Sequence, residues 1–142
     1  MAVSVKPVVL WRSEIENRPG SLAGLLGHLS AVDLDVVMGY RYPGSESKAA
    51  VEVCPISSKK VAAAAQAAGL SPSSIPALRV EGDNRRGLGH AITKSIADAG
   101  INLNFLVAQV IGRKHSTILG FDTEADARKA VPLIRKAAGR KK

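Results

Sequence analysis

The chain repeats itself, and the repeat limits its possible folds more than any single motif does. Moved along by 67 positions, Ile15-Glu16-Asn17-Arg18-Pro19-Gly20 lands on Gly82-Asp83-Asn84-Arg85-Arg86-Gly87, with Asn, Arg and Gly coincident. In the same register Leu25 meets Ile92, Leu29 meets Ile96, Leu34 meets Ile101, Val36 meets Leu103 and Val51 meets Ile118, with no gap from Ile15 to Cys54. A solenoid needs more copies of a shorter unit, so the pattern predicts a duplicated small domain.

Each copy predicts the same order of elements. In the first, residues 8–16 alternate Val9, Trp11 and Ile15 against Val8, Arg12 and Glu14, as a half-buried strand does. Pro19-Gly20-Ser21 opens a helix whose stripe is Leu22, Leu25, Leu26, Leu29 and Val32. A second strand carries Val36, Met38, Tyr40 and Tyr42, Pro43-Gly44-Ser45 turns the chain, and Ala49, Val51 and Val53 return it. Ser57 is the expected cap of an alanine-rich helix over 58–68, which Gly69 stops. The second copy predicts a strand over 77–83, a helix over 88–99 and a strand over 102–111 with Leu103, Phe105 and Val107 on one face. A turn at Gly112-Arg113-Lys114-His115, a strand over 116–122 and a helix over 124–138 complete it. Thr123 and Asp126 form a capping-box pattern, Gly139 closes the helix, and Pro132 should bend it.

The order β-α-β-β-α, read twice and joined by right-handed crossovers, gives an antiparallel sheet with helices on one face. The expected class is therefore α+β, two ferredoxin-like βαββαβ-type units in tandem, 1–70 and 71–142. Only one strand, 77–83, lies between the last helix of the first copy and the first helix of the second. Either that strand is shared or each copy lacks a fourth. Units of this size bury only about 60% of their surface, so the two copies are expected to support one another.

Hydrophobic side chains at 46% and charged ones at 23% exclude a disordered chain, and no apolar run reaches the roughly 18 residues of a membrane span. The start shows no secretory signal, and the single cysteine, Cys54, excludes an internal disulfide. The cytoplasm is the expected location. The net charge is +8, but residues 123–142 carry seven Lys/Arg against Glu124 and Asp126, leaving the rest only +3. A solvated helix face with a basic C-terminal end accounts for this before an anionic partner does.

Glu16-Asn17-Arg18-Pro19-Gly20 after an apolar strand, the leucine-spaced helix and Asp33-Leu34-Asp35-Val36 resemble the ACT domain, a ferredoxin-like regulatory module that commonly binds amino acids. The second copy repeats the resemblance from Asp83-Asn84-Arg85-Arg86-Gly87 to Ala99-Gly100-Ile101-Asn102-Leu103. The resemblance implies that a ligand sits at the strand–helix loop, at an interface between units. Amino-acid-sensing members often carry a histidine two places before the asparagine, where this chain has Ile15 and Gly82, so a serine contact of that kind is not carried over.

The loop has a physical case of its own. A helix start leaves its first N–H groups unpaired at the positive end of the dipole, where a carboxylate can bind. Gly20 and Gly87 remove side chains from that approach. Asn17 and Asn84 supply amide groups, and Asp35 and Asn102 can take an ammonium group. The candidate ligand residues are Asn17, Arg18, Pro19, Gly20, Ser21, Leu22 and Asp35, then Asn84, Arg85, Arg86, Gly87, Leu88 and Asn102. His28, His90 and His115 share no metal spacing and read as exposed or capping residues, and Cys54 as a small buried hydrophobe. No nucleophile–base pair, metal or cofactor motif emerges.

The expected function is a non-catalytic tandem ACT protein that binds a small amino acid or related carboxylate and acts on a separate, regulated partner protein. An open sheet edge in each copy predicts a homodimer. A basic nucleic-acid-binding ferredoxin-like protein is the alternative, weakened by 4% aromatics and no RNA-recognition strand motif. A ligand-free oligomerisation module is the other.

Overall fold

Alternating apolar residues extend a chain whose second face meets solvent, and 3.6-residue spacing coils one. The computed structural model, which describes residues 3–139, resolves these preferences into twelve elements. In chain order they are β1 (Ser4–Val8), β2 (Trp11–Glu16), α1 (Ser21–Gly27), β3 (Val36–Arg41), β4 (Lys48–Cys54), α2 (Lys59–Ala67), β5 (Ser71–Pro72), β6 (Ala77–Asp83), α3 (Leu88–Asp98), β7 (Leu103–Ile111), β8 (Lys114–Phe121) and α4 (Glu124–Gly139). Arg140, Lys141 and Lys142 of the basic tail lie outside the described residues.

Two units emerge, residues 9–74 and residues 75–139 with β1. Each holds a four-stranded antiparallel sheet, ordered β3-β4-β2-β5 in the first and β1-β6-β8-β7 in the second. The βαββαβ expectation is thus met in a rearranged form. In the first unit the closing strand is the two-residue β5, beside Trp11 and Arg12. In the second it is β1, from the far end of the chain, with Val5 opposite Val80 and Pro7 opposite Leu78. Pro7 has no N–H to give, which suits an edge position. Neither copy lacks a fourth strand, and Ala77–Asp83 serves one sheet only.

The single strand expected over 8–16 is therefore two strands serving different sheets, separated at Val9, which is 59% exposed, and Leu10, which is buried. The first helix is also shorter than its leucine stripe. It ends at Gly27, after which i→i+3 turns carry the chain through Leu29 and Val32. Gly24 and Gly27 weaken helix continuation, yet Leu25 and Leu29 still reach the core.

In residues 9–74 the core is Leu25, Leu29, Val51, Val53, Ala65 and Leu70, flanked by Trp11, Ile15 and Leu34. The α2 cap is Ser58, one residue after the expected Ser57, and its hydroxyl accepts from the Val61 N–H at 3.1 Å. In the second unit Val5, Leu78, Val80, Leu88, Ile92, Ile96, Leu119, Phe121 and Ile134 pack together. Helix α4 buries Ala127, Ala130, Ile134 and Ala137 and exposes Arg128, Lys129, Arg135 and Lys136, so its basic face is the solvated one. Thr123 Oγ1 accepts from the Asp126 N–H at 3.0 Å, and the helix runs through Pro132.

Register changes two further readings. A bulge between Leu103 and Phe105 puts Leu103, Leu106, Ala108 and Val110 across from Phe121, Leu119, Thr117 and His115. Phe105 and Val107 face the other way, because one extra residue inverts every later side chain. The Phe105 ring there fills the space a Cβ on Gly120 would take. The structural counterpart of Val51 is likewise Thr117 rather than Ile118: Ser13 pairs with Val51, and Val80, which lies 67 residues beyond Ser13, pairs with Thr117.

Candidate functional site

Both strand–helix loops turn as the glycines require. Gly20, at φ +89°, and Gly87, at φ +81°, cap α1 and α3 in the left-handed region, with no side chain bonded to either helix start and no acidic residue in either first turn. A Cβ at either position would meet nothing within 4 Å. The space outside both glycines is open.

The two loops then diverge. In the first, Asn17 ties the loop to the β3–β4 hairpin, its backbone N–H donating to Ser47 O at 2.9 Å and its Nδ2 to Glu46 O at 2.9 Å. Arg18 Nε pairs with Glu16 Oε2 at 2.9 Å on the surface, and Pro19 is exposed. Ser21 is half-buried, and Asp35 donates its backbone N–H to Cys54 O at 3.0 Å. Leu22 leans over the sheet, its Cδ2 lying 3.4 Å from where a Cβ on Gly39 would stand.

In the second loop Asn84 gives its backbone N–H to Arg113 O at 2.7 Å and keeps an exposed side chain. Arg85 turns away from the helix start and donates to Ala137 O of α4 at 2.6 Å. It lines a groove with His90, Lys94, Asp98 and Lys136. Arg86 is exposed and Leu88 belongs to the core. Asn102 folds back on itself, its Oδ1 accepting from the Leu103 N–H at 3.0 Å.

Of the candidate ligand residues, the structure gathers Asn84 and Leu88 at one cavity of about 280 Å³. Gly89, Ile92, Leu106, Ala108, Gln109, Val110, His115 and Thr117 complete its wall. Arg85, Arg86, Gly87 and Asn102 are not among the lining residues. The amides of Gly89 and His90 open α3 and have no acceptor within the helix. The wall is mainly aliphatic, with a few polar groups, the usual make-up of a small-molecule site.

His115 departs from its expected place. It was expected in the turn, exposed or capping; it lies on β8, in phase with Thr117, Leu119 and Phe121, and is 5% exposed. Among the described residues neither ring nitrogen has a hydrogen-bond partner. Burial pushes the imidazole below its ordinary range, against the opposing pull of Glu81 and Asp83. Asp83 is itself held below the usual carboxylate range by Lys114. A tighter turn at Gly112-Arg113 would have revealed His115, by placing it on the apolar phase of the strand. His28 and His90 are exposed as expected, and Cys54 is buried.

No protein-family model matches this sequence, and none of the curated proteins matches it. Solved structures share its fold. A protein of Bacteroides thetaiotaomicron aligns with a TM-score of 0.72 at 9% identity, over 90% of this chain and 88% of that one. The ligand-free regulatory subunit of aspartate kinase from Thermus thermophilus aligns with a TM-score of 0.61 at 15% identity, over 95% of each chain. The corresponding subunit from Thermus flavus gives 0.57 at 16%, over 96% and 97%. What these share with the present chain is the fold, two ferredoxin-like units in tandem. Among the described residues no helix is long and apolar enough to cross a membrane.

Proposed function

From two ferredoxin-like units in tandem, we propose that this chain is a non-catalytic regulatory module of the ACT type that binds a small amino acid or related carboxylate. The carrying observation is the second loop. There an uncapped helix start and the exposed Asn84 side chain meet a cavity of about 280 Å³. A carboxylate is received by the α3 amides, Asn84 supplies amide groups, and the aliphatic wall takes the ligand's body. The output passes to a separate protein, through the ligand's differential affinity for two assemblies.

Support for a homodimer comes from the edges. Strand β7 is unpaired along one side within its sheet and exposes Leu106, Val107, Val110 and Ile111, and an apolar edge of this kind calls for a covering strand. Two tyrosines are engaged within the protein rather than offered to nucleic acid: Tyr40 of β3 donates to Glu52 at 2.9 Å, and Tyr42, just past that strand, receives a hydrogen bond from Arg12.

The test is a thermal-shift screen of the twenty amino acids on the intact chain. A ligand at a hundred times its Kd stabilises by about 2.7 kcal/mol. The shift should vanish in Asn84→Ala and Gly87→Val, and survive Asn17→Ala. No shift with any amino acid would overturn the proposal.

A further inference from the structure

The second-unit cavity holds more than a helix start. His115 forms part of its wall, 5% of its surface exposed, and among the described residues neither ring nitrogen has a partner. Buried polar groups in folded proteins are nearly always paired, because burial removes water partners that something else must replace. A neutral imidazole offers one donor and one acceptor, so the missing group is one that hydrogen-bonds. Thr117, two residues along the same face, is also buried and lines the same space. Of the polar lining groups Asn84 is exposed and His115 and Thr117 are buried, and Leu88, Ile92, Leu106, Ala108 and Val110 make the apolar part of the wall. A ligand matched to this wall has a charged group for the helix start, an apolar part for the aliphatic lining and a further hydrogen-bonding group for the buried imidazole. About 280 Å³ is at the lower limit for ligand pockets, roughly 300–1,000 Å³, which restricts it to a small molecule.

The first unit supplies an internal control. By strand pairing, Gly39 opposite Val51 corresponds to Ala108 opposite Thr117, and Ala49 opposite Arg41 corresponds to His115 opposite Val110. Gly89, 67 residues beyond Leu22, has no side chain to lay over the sheet. Leu22 does have one, and it packs against Gly39. The first unit thus fills with leucine the space that the second leaves open, and puts alanine where the second has histidine.

We infer that the second unit alone carries the ligand site, and that His115 selects an amino acid whose own side chain bears a hydrogen-bonding group. This rests on the function proposed above and narrows it. Selection of this kind is steep, because an apolar analogue leaves the buried imidazole unpaired.

The test is calorimetric titration of the intact protein at pH 7.5 with near-isosteric sets: aspartate and asparagine against leucine, and threonine against valine. At least one polar member should bind ten-fold or more tightly than its apolar counterpart, and its saturation should shift the His115 ring nitrogens in long-range proton–nitrogen NMR spectra. In His115→Leu, an apolar filling of the same position, the preference should fall below two-fold. Gly89→Leu, which copies Leu22, should abolish binding in a folded protein, since a Cβ there meets nothing within 4 Å and circular dichroism checks the fold. Leu22→Ala should leave affinity unchanged. Amino-acid binding without a polar preference, or a preference that survives His115→Leu or Gly89→Leu, overturns this inference and leaves the regulatory reading standing. Loss of binding in Leu22→Ala would relocate the site to the first unit. If no amino acid binds, both fall.

Discussion

Closure of the second sheet by the first strand makes Val5 a core residue of a unit whose other strands begin more than 70 positions later. Val5 is 4% exposed and packs in the cluster that contains Leu78, Val80 and Leu119. Val5→Ala removes two methyl carbons at about 0.8 kcal/mol each, and the unfilled space adds a smaller cost. The expected loss is about 2 kcal/mol. For a unit of this length that corresponds to roughly 8–16 °C in its melting temperature. Amide hydrogen exchange resolves where the loss falls, because local opening reports the stability of each region. Protection should drop by about thirty-fold in Ala77–Asp83 and Lys114–Phe121, and less in Trp11–Glu16 and Lys48–Cys54. If the loss is concentrated in Trp11–Glu16, β1 belongs with the residues that follow it and the rearranged closure is wrong.

Other outcomes follow from single side chains. Gly87→Ala should cost about 1–2 kcal/mol by denaturant unfolding, purely for holding an L-residue at φ +81°, since its Cβ has open space. Ser58→Ala should cost about 1 kcal/mol, because the Val61 N–H loses its acceptor. His115 makes stability depend on acidity. Its imidazole lies below the ordinary range in the folded chain, so the unfolded chain binds the proton first as pH falls. Stability is full above about pH 6.5, declines below it until the folded form also protonates, and His115→Leu should flatten that part of the profile. Chemical unfolding measured at half-unit pH steps checks the sign. A wild-type profile that rises on acidification through that window would refute it.

The legible part of this protein is local. Helix starts at Gly20 and Gly87, caps at Ser58 and Thr123, and the run Ala77–Asp83 depend on residues within a few positions of one another, and they fall where expected to within a residue or two. The duplication was legible as well, because equal spacing of apolar residues survives divergence. The stripe Leu22–Val32 outruns its helix, since apolar spacing continues through turns that Gly24 and Gly27 no longer hold as helix.

The candidate site was legible as a loop and illegible as a cavity. Asn84 and Leu88 could be named from the sequence; Gly89, Gln109, His115 and Thr117 could not. Their meeting depends on the parity of two strands and a bulge at Asn104, and one residue of slip reverses which face each presents. The same limit hid β1. Val5 and Pro7 carry no mark of the strand they join, because backbone pairing between Ser4–Val8 and Ala77–Asp83 is blind to side-chain identity and to distance along the chain. The amino-acid order by itself determined two copies of one unit and a helix start in each that suits an anion. Only tertiary structure decided that the sheets close in a rearranged order, that Leu22 fills one space, and that a buried histidine lines the other.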